Sequence, residues 1–282
     1  MSELVTGVGT GDGGGLDVRE LRDVGEFEDA VRLFDAIWHP DPGNRPITAE
    51  LMRALSHAGN YVAGAYEGGR LAGASVAFLA APISRALHSH VTGALPGRGA
   101  GLALKLHQRA WALERGLDRI TWTYDPLVRR NAHFNLAKLG ARAEEYLPSF
   151  YGAMDDAINA GDESDRLLAV WHLSEPRVLA AARGEPYVPE VPADAVAGLA
   201  VLDGLPSPVP AGAWAGARTV LVAVPEDVEA LRRADPDAAR AWRRAVREVL
   251  GGLLAEGALV AGFDRRAGYV VERPGPAGRS GS

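Results

Sequence analysis

Apolar residues recur every three to four positions at Phe27, Ala30, Val31, Phe34, Ile37 and Trp38, the spacing of one helix face. A second, short helix is predicted over 48–57, with Thr48 as its cap and Leu51, Met52 and Leu55 buried. Strands are expected over 61–66 and 71–78, joined by Glu67-Gly68-Gly69-Arg70, a hairpin signal. A further strand is expected over 88–94. A helix follows over 102–115, with Ala103, Leu106, Ala110 and Leu113 on one face and Gly116 at its C-terminal cap. Residues 119–124 alternate as a strand, and 128–139 read as a helix closed by Gly140.

After Tyr151 the texture changes. Residues 188–210 are rich in proline and read as irregular, and 219–224 read as a strand. Asp235-Pro236 opens a helix whose apolar face carries Trp242, Ala245, Val246, Val249, Leu250, Leu253 and Leu254. Residues 258–263 and 269–272 close the chain as short strands. The expected fold class is α/β (α+β): a mixed sheet flanked by helices, with a C-terminal α/β segment packed on it. The boundaries expected are a disordered tail over 1–15, a domain over 16–155, a C-terminal half over 156–273 and a second disordered tail over 274–282.

Bulk composition narrows the function classes. The 282 residues are 47% hydrophobic, enough for a sizeable core. The formal net charge of −6 weighs against a nucleic-acid partner. There is no cysteine, which removes disulfides and thiolate metal ligands. No apolar run approaches the roughly 20 residues of a membrane span, and the N-terminus lacks a basic-then-apolar leader. A soluble cytoplasmic protein, with neither nucleic acid nor membrane as partner, is the expectation.

The segment from Pro96 to Lys105 carries the sharpest chemical signal. It is a glycine-rich turn with one arginine, Arg98, running straight into a helix. Free N–H groups at a helix N-terminus, together with the helix dipole, favour phosphate. Glycines let the backbone approach it closely. The turn does not match a dinucleotide-binding fingerprint, because no third glycine follows at the required spacing, and a P-loop lacks its Gly-Lys-Ser/Thr.

The order strand, glycine turn, helix, strand, helix resembles the GNAT acyl-CoA N-acyltransferase superfamily. Gly99-Ala100-Gly101 matches the second half of its R/Q-x-x-G-x-G/A turn, while Pro96 stands at the leading Arg or Gln position. The segments 120–127, 130–140, 151–156 and 161–168 and the helix with Ala241-Trp242-Arg243 are similar to one subfamily with a C-terminal extension. Some of its members resemble amino-acid N-succinyltransferases. The resemblance implies an acyl-CoA-dependent N-acyltransferase acting on a small amine such as an amino acid. Its co-substrate would be acetyl-CoA or succinyl-CoA, with no metal. A degenerate relative that binds a thioester or other ligand, or catalyses a different reaction, is the alternative. A homodimer is left open.

The resemblance also implies site residues. Val91, Thr92 and Gly93 would present backbone to the thioester. Arg98, Gly99, Ala100, Gly101 and Leu102 would cradle the pyrophosphate, and Asn131 would face the cofactor. The family's usual acid is a tyrosine at the position of Leu136, so Tyr124 is the nearest substitute and Tyr151 a second. His90 is a candidate base, since His88 and His90 lie two apart on one strand face. A His-x-His pair can ligate metal, but no third ligand is visible. A structural role is the competing reading for both histidines. Asp155-Asp156 and the carboxylates of 162–166 read as caps and as an ion pair with Arg166. Arg129 and Arg130 suit a carboxylate or phosphate partner, or a solvated face.

Overall fold

A computed structural model describes residues 15–40, 45–82, 85–152 and 162–274. The two expected disordered tails and Asp155-Asp156 lie outside these residues, apart from Gly15 and Pro274. The chain is α/β, with two mixed sheets flanked by helices. Its described residues form two compact units, one within 15–39, 45–78 and 90–111, the other within 79–82, 85–89, 112–152 and 162–274 together with Pro40.

The first unit contains β1 (Asp17–Glu20), α1 (Val24–Trp38), α2 (Ala49–His57) and β2 (Tyr61–Glu67). It also holds most of β3 (Arg70–Ala80), the second half of β4 (Ala86–Ala94) and most of α3 (Ala100–Glu114). β1, β2 and β3 pair in order and antiparallel, with Asp17 opposite Tyr66 and Val62 opposite Val76. Gly68 and Gly69 both take positive φ, 55° and 78°, which is what a two-residue hairpin turn matching strand twist requires. α1 starts in a capping box: the Asp23 carboxylate accepts from the Glu26 N–H, and the Glu26 carboxylate accepts from the Asp23 N–H. Phe27, Ala30, Leu33 and Phe34 then pack with Met52, Val62, Ala74, Val76 and Val91 into one core. In α2 the buried position is Met52, whereas Leu51 is left exposed.

Helix α3 departs from its expected face. Leu113 and Ala110 are exposed, and the buried stripe is Leu104, Lys105, Gln108 and Trp111. Both sets recur at helical spacing. The apolar set is the more conspicuous in sequence, yet the tight approach of α3 to β3 at Gly73 decides the rotation. A Cβ on Gly73 would sit 2.9 Å from Leu104 Cδ1 and 3.2 Å from the Ala100 Cβ.

In the second unit the first half of β4 pairs parallel with β5 (Arg119–Tyr124) through Ala86↔Arg119, Leu87↔Ile120 and His88↔Thr121. β7 (Arg166–His172) lies antiparallel between β5 and β6 (Arg142–Leu147). Trp122 and Trp171 meet edge to face at 6.0 Å across that pairing. The expected helix over 128–139 is α4 (Arg129–His133) continued by a π-helical turn, Phe134–Lys138. α5 (Pro176–Ala182) precedes a second sheet, ordered β11 (Leu259–Asp264), β12 (Gly268–Glu272), β10 (Thr219–Val222), β8 (Val196–Leu202), β9 (Leu205–Pro208).

The expectation of irregular backbone over 188–210 holds for 188–195 and is overturned beyond it, where β8 and β9 form an antiparallel hairpin. Prolines suppressed the strand signal, but β9 is an edge strand, where a missing N–H costs no ladder bond. α6 (Ala211–Trp214), α7 (Val228–Ala234) and α8 (Pro236–Val246) follow. α8 runs into a π-helical turn, Arg247–Gly251, and then α9 (Gly252–Ala255). Trp242 is fully buried, and its indole N–H donates to the Gly204 carbonyl.

Candidate functional site

The turn between β4 and α3 has the backbone that its glycines announce. Gly97 and Gly99 take φ of 77° and 70°, a region that side chains resist. A Cβ on Gly97 would meet nothing within 4 Å, and one on Gly99 only Leu16 Cδ1 at 4.0 Å. The glycines thus serve backbone shape, and space stays open on the outer side of the turn. The Ala103 N–H bonds to the Gly99 carbonyl, so α3 begins directly after the turn. Its first N–H groups have no partner within the helix, as at any helix start. Ala100 is buried, and Gly101 and Leu102 are half-buried. Arg98 is half-exposed and forms an ion pair with Glu67 at the end of β2.

On β4, the strand feeding that turn, each predicted residue has a distinct environment. Val91 belongs to the core under α1. Gly93 faces α1 so closely that a Cβ would lie 2.8 Å from Trp38 Cη2, 2.9 Å from Phe34 Cδ1 and 3.1 Å from Ile37 Cδ1. The Thr92 hydroxyl lies 2.7 Å from the Ser75 hydroxyl of β3. His90 is exposed, with Nε2 3.2 Å from the Pro46 carbonyl and its ring 5.9 Å from that of Phe78. A carbonyl only accepts, so Nε2 carries the proton and Nδ1 holds the free lone pair of the neutral ring. His88 has a different partner, Thr121 Oγ1, 3.0 Å from its Nδ1. The two histidines of the His-x-His pair thus do different things. Among the described residues, no group of three or more His, Cys, Asp or Glu side chains has metal-binding geometry.

The remaining predicted residues lie in the second unit. Tyr124, at the end of β5, is buried, and among the described residues its hydroxyl makes no well-aligned hydrogen bond. Burial pushes that hydroxyl well above the usual phenol range, and the neighbouring Tyr269 hydroxyl draws it back only slightly. Tyr269 instead donates to the Pro126 carbonyl at 2.8 Å. Tyr151 is exposed, 3.3 Å from Thr123 Oγ1, with Arg166 stacked 5.2 Å from its ring centre. Leu136 is buried. Asn131 is half-buried in a cleft of about 610 Å³ that Arg129, Arg130, Lys138 and Arg265 make basic and Glu226 partly offsets. In that cleft Arg130 pairs with Glu229, and the His133 Nε2 lies 2.9 Å from Arg265. Burial and the nearby Arg265 and Lys138 charges hold His133 below the usual imidazole range.

Two polar networks escaped the sequence reading. In the second unit, Arg243 and Arg232 bond to both Asp125 and Asp162, and all four are buried. Asp165 accepts from the Tyr146 hydroxyl at 2.6 Å and also pairs with Arg247. The carboxylates Asp162, Glu163 and Asp165 are thus held by Arg232, Arg243 and Arg247 from the C-terminal helices. In the first unit, Lys105 Nζ donates to Gln108 Oε1 at 3.4 Å, and Gln108 Nε2 donates to Ser75 Oγ at 3.3 Å. Ser75 is the same residue that meets Thr92. The positions of Lys105 and Gln108 at i and i+3 were the available signal.

No known family profile matches the chain, and no curated protein matches it. Solved structures similar to it include an acetyltransferase of the GNAT family from Streptococcus pneumoniae, at 18% identity and a TM-score of 0.45, covering 55% of this chain and 98% of that one. An N-acetyltransferase from Staphylococcus aureus Mu50 aligns at 12% identity and a TM-score of 0.46, over 57% of this chain and 99% of that one. The ribosomal-protein-S18-alanine N-acetyltransferase from Escherichia coli aligns at 12% identity and 0.46, over 57% and 96% respectively.

Proposed function

We propose that this chain is an acyl-CoA-dependent N-acyltransferase that acylates a small amine, such as an amino acid, by direct attack in a ternary complex. The observation that carries the reading is the run of β4 through a positive-φ glycine turn into the N-terminus of α3. That turn offers open backbone and a helix dipole to a diphosphate, with Arg98 beside it. A bound CoA thioester, acetyl or succinyl, would supply the activated acyl group. Backbone N–H groups of Val91, Thr92 and Gly93 are the proposed donors to the acyl oxygen as negative charge develops there. The Nδ1 of His90 would take a proton from the substrate ammonium, which frees the amine lone pair to attack the thioester carbonyl. Among the described residues the buried Tyr124 hydroxyl has no hydrogen-bond partner, an arrangement that costs about 1–3 kcal/mol unless something completes it. It is the proposed proton donor to the leaving thiolate, and Asn131 is a proposed contact to the cofactor.

Calorimetric titration with CoA, acetyl-CoA and succinyl-CoA tests the reading. Micromolar binding that Arg98→Glu abolishes is expected, and absence of heat with every CoA species overturns it. Thiol release across amino acids then separates turnover from binding. Pro96 at the anchoring position and Leu136 at the usual acid position favour one other reading, a scaffold that binds a thioester without transferring its acyl group. Tight binding with no thiol release on any amine would select it.

A further inference from the structure

Helix α3 buries two polar residues on the face turned to the sheet. Lys105 is 5% exposed, Gln108 0% and Ser75 1%. A long charged side chain in such a place is costly unless its polar end is engaged. Here it opens a chain of hydrogen bonds: Lys105 Nζ to Gln108 Oε1 at 3.4 Å, Gln108 Nε2 to Ser75 Oγ at 3.3 Å, Ser75 Oγ to Thr92 Oγ1 at 2.7 Å. The chemistry of the groups sets the direction of its first two bonds. A Lys105 N–H donates to the Gln108 carbonyl oxygen, which leaves the Gln108 amide N–H₂ facing Ser75. Ser75 Oγ accepts from that amide and keeps one proton, which it can give to Thr92 Oγ1. With Ser75 donating, the Thr92 proton has no acceptor among the described residues and ends the chain, and Thr92 is only half-buried, on the strand that feeds the glycine turn.

We infer that the Lys105–Gln108–Ser75 chain is a positioning device that fixes the Thr92 hydroxyl as a hydrogen-bond donor to the bound thioester of acyl-CoA. The inference rests on the acyl-CoA reading and adds a side-chain donor to the backbone N–H groups already proposed. Consecutive hydrogen bonds in a low-dielectric interior polarise one another, so the last donor is stronger than an isolated hydroxyl. Lys105, Gln108 and Ser75 act through Thr92, which alone would touch the ligand.

A double-mutant cycle on the full chain tests the inference, with kcat/KM for acyl-CoA as the readout and melting curves to confirm folding. Thr92→Val is expected to lower kcat/KM about tenfold, the size of one neutral hydrogen bond, while Thr92→Ser stays within about threefold of wild type. Lys105→Met is expected to lower it by a similar factor in the wild-type background and to add nothing in the Thr92→Val background. Ser75→Ala cuts the chain at a second point and carries the same expectation if Lys105→Met does not fold. Losses that multiply in the double variants, or a Thr92→Val enzyme as active as wild type, overturn the inference while leaving acyl transfer intact. Wild-type protein that gives no heat with any CoA species overturns both.

Discussion

Arg243 grips Asp125 with two hydrogen bonds, Nη1 to Oδ1 at 2.7 Å and Nη2 to Oδ2 at 2.8 Å, where both side chains are buried. Asp162 accepts from the same guanidinium at 2.9 Å, and Arg232 reaches both carboxylates. Burial alone would raise Asp125, but the Arg243 and Arg232 charges outweigh it and hold the carboxyl far below the usual range. Asp125→Asn would leave buried guanidinium charge short of a carboxylate and is expected to cost about 3–5 kcal/mol. Urea denaturation of the two proteins measures it. A loss under about 1 kcal/mol would show that the remaining Asp162 suffices.

Lys105 makes stability depend on alkaline pH. Burial lowers its ammonium to about 7. The unfolded chain, with an ordinary lysine, therefore binds more protons than the folded one between that value and about 10.4. Stability should rise with pH across that window, by up to about 1.4 kcal/mol per unit. Below pH 7 both states hold the proton and the slope vanishes. The difference in unfolding free energy between wild type and Lys105→Met, followed from pH 6 to 10, isolates this contribution. A difference that stays flat would place the ammonium in contact with water.

Gly93 has two candidate reasons to be glycine, cofactor approach and the pressure of α1. Three side-chain atoms lie within 3.1 Å of where its Cβ would be. Gly93→Ala is therefore expected to destabilise by about 1–3 kcal/mol through overpacking alone. Combining it with Trp38→Ala should make the combined loss smaller than the sum. If activity stays lost when stability is recovered, the backbone at Gly93 also serves the acyl group.

The Tyr124 hydroxyl separates fold from function more cleanly. Tyr124→Phe removes a buried O–H that has no partner among the described residues while keeping the ring, so stability should hold or rise by up to about 1 kcal/mol. Thiol release should fall by about 10²-fold or more if this hydroxyl protonates the thiolate. Unchanged turnover assigns that proton to another group.

Glu67 competes with any phosphate for Arg98. Both side chains are partly exposed, so the pair is worth only about 0.2–1 kcal/mol. Glu67→Gln should accordingly tighten CoA binding by about two- to fivefold, read by calorimetry. Weaker binding would mean that Glu67 holds Arg98 in its binding position.

Sequence made the β4–turn–α3 segment legible because glycines at forced backbone angles leave a mark that does not depend on packing. The hairpin at Gly68-Gly69 was readable for the same reason, as was the alternation of β5. What packing decides was not readable. Helix α3 carries two stripes at helical spacing, and the apolar one through Leu106 and Leu113 masked the buried one through Lys105 and Gln108. Asp125 and Arg243 stand 118 positions apart, so nothing local could pair them. Of the candidate site, the turn and its strand were found from sequence. The chain behind Thr92 needed the sheet, because Ser75 and Lys105 come from different elements.

The hairpin of β8 and β9 also bears on how the protein behaves at high concentration. The Val209 N–H bonds inward to the Gly198 carbonyl, so alternate residues before it, 207 and 205, share that direction. Pro206 and Pro208 occupy the outward positions, where a free edge would otherwise present N–H groups to another chain. Val201, Leu202 and Leu205 are exposed beside them, an apolar surface that a bare strand edge would turn into a template for association. With no outward N–H to offer at either position, the sheet ends at β9 and resists being lengthened by a neighbouring molecule.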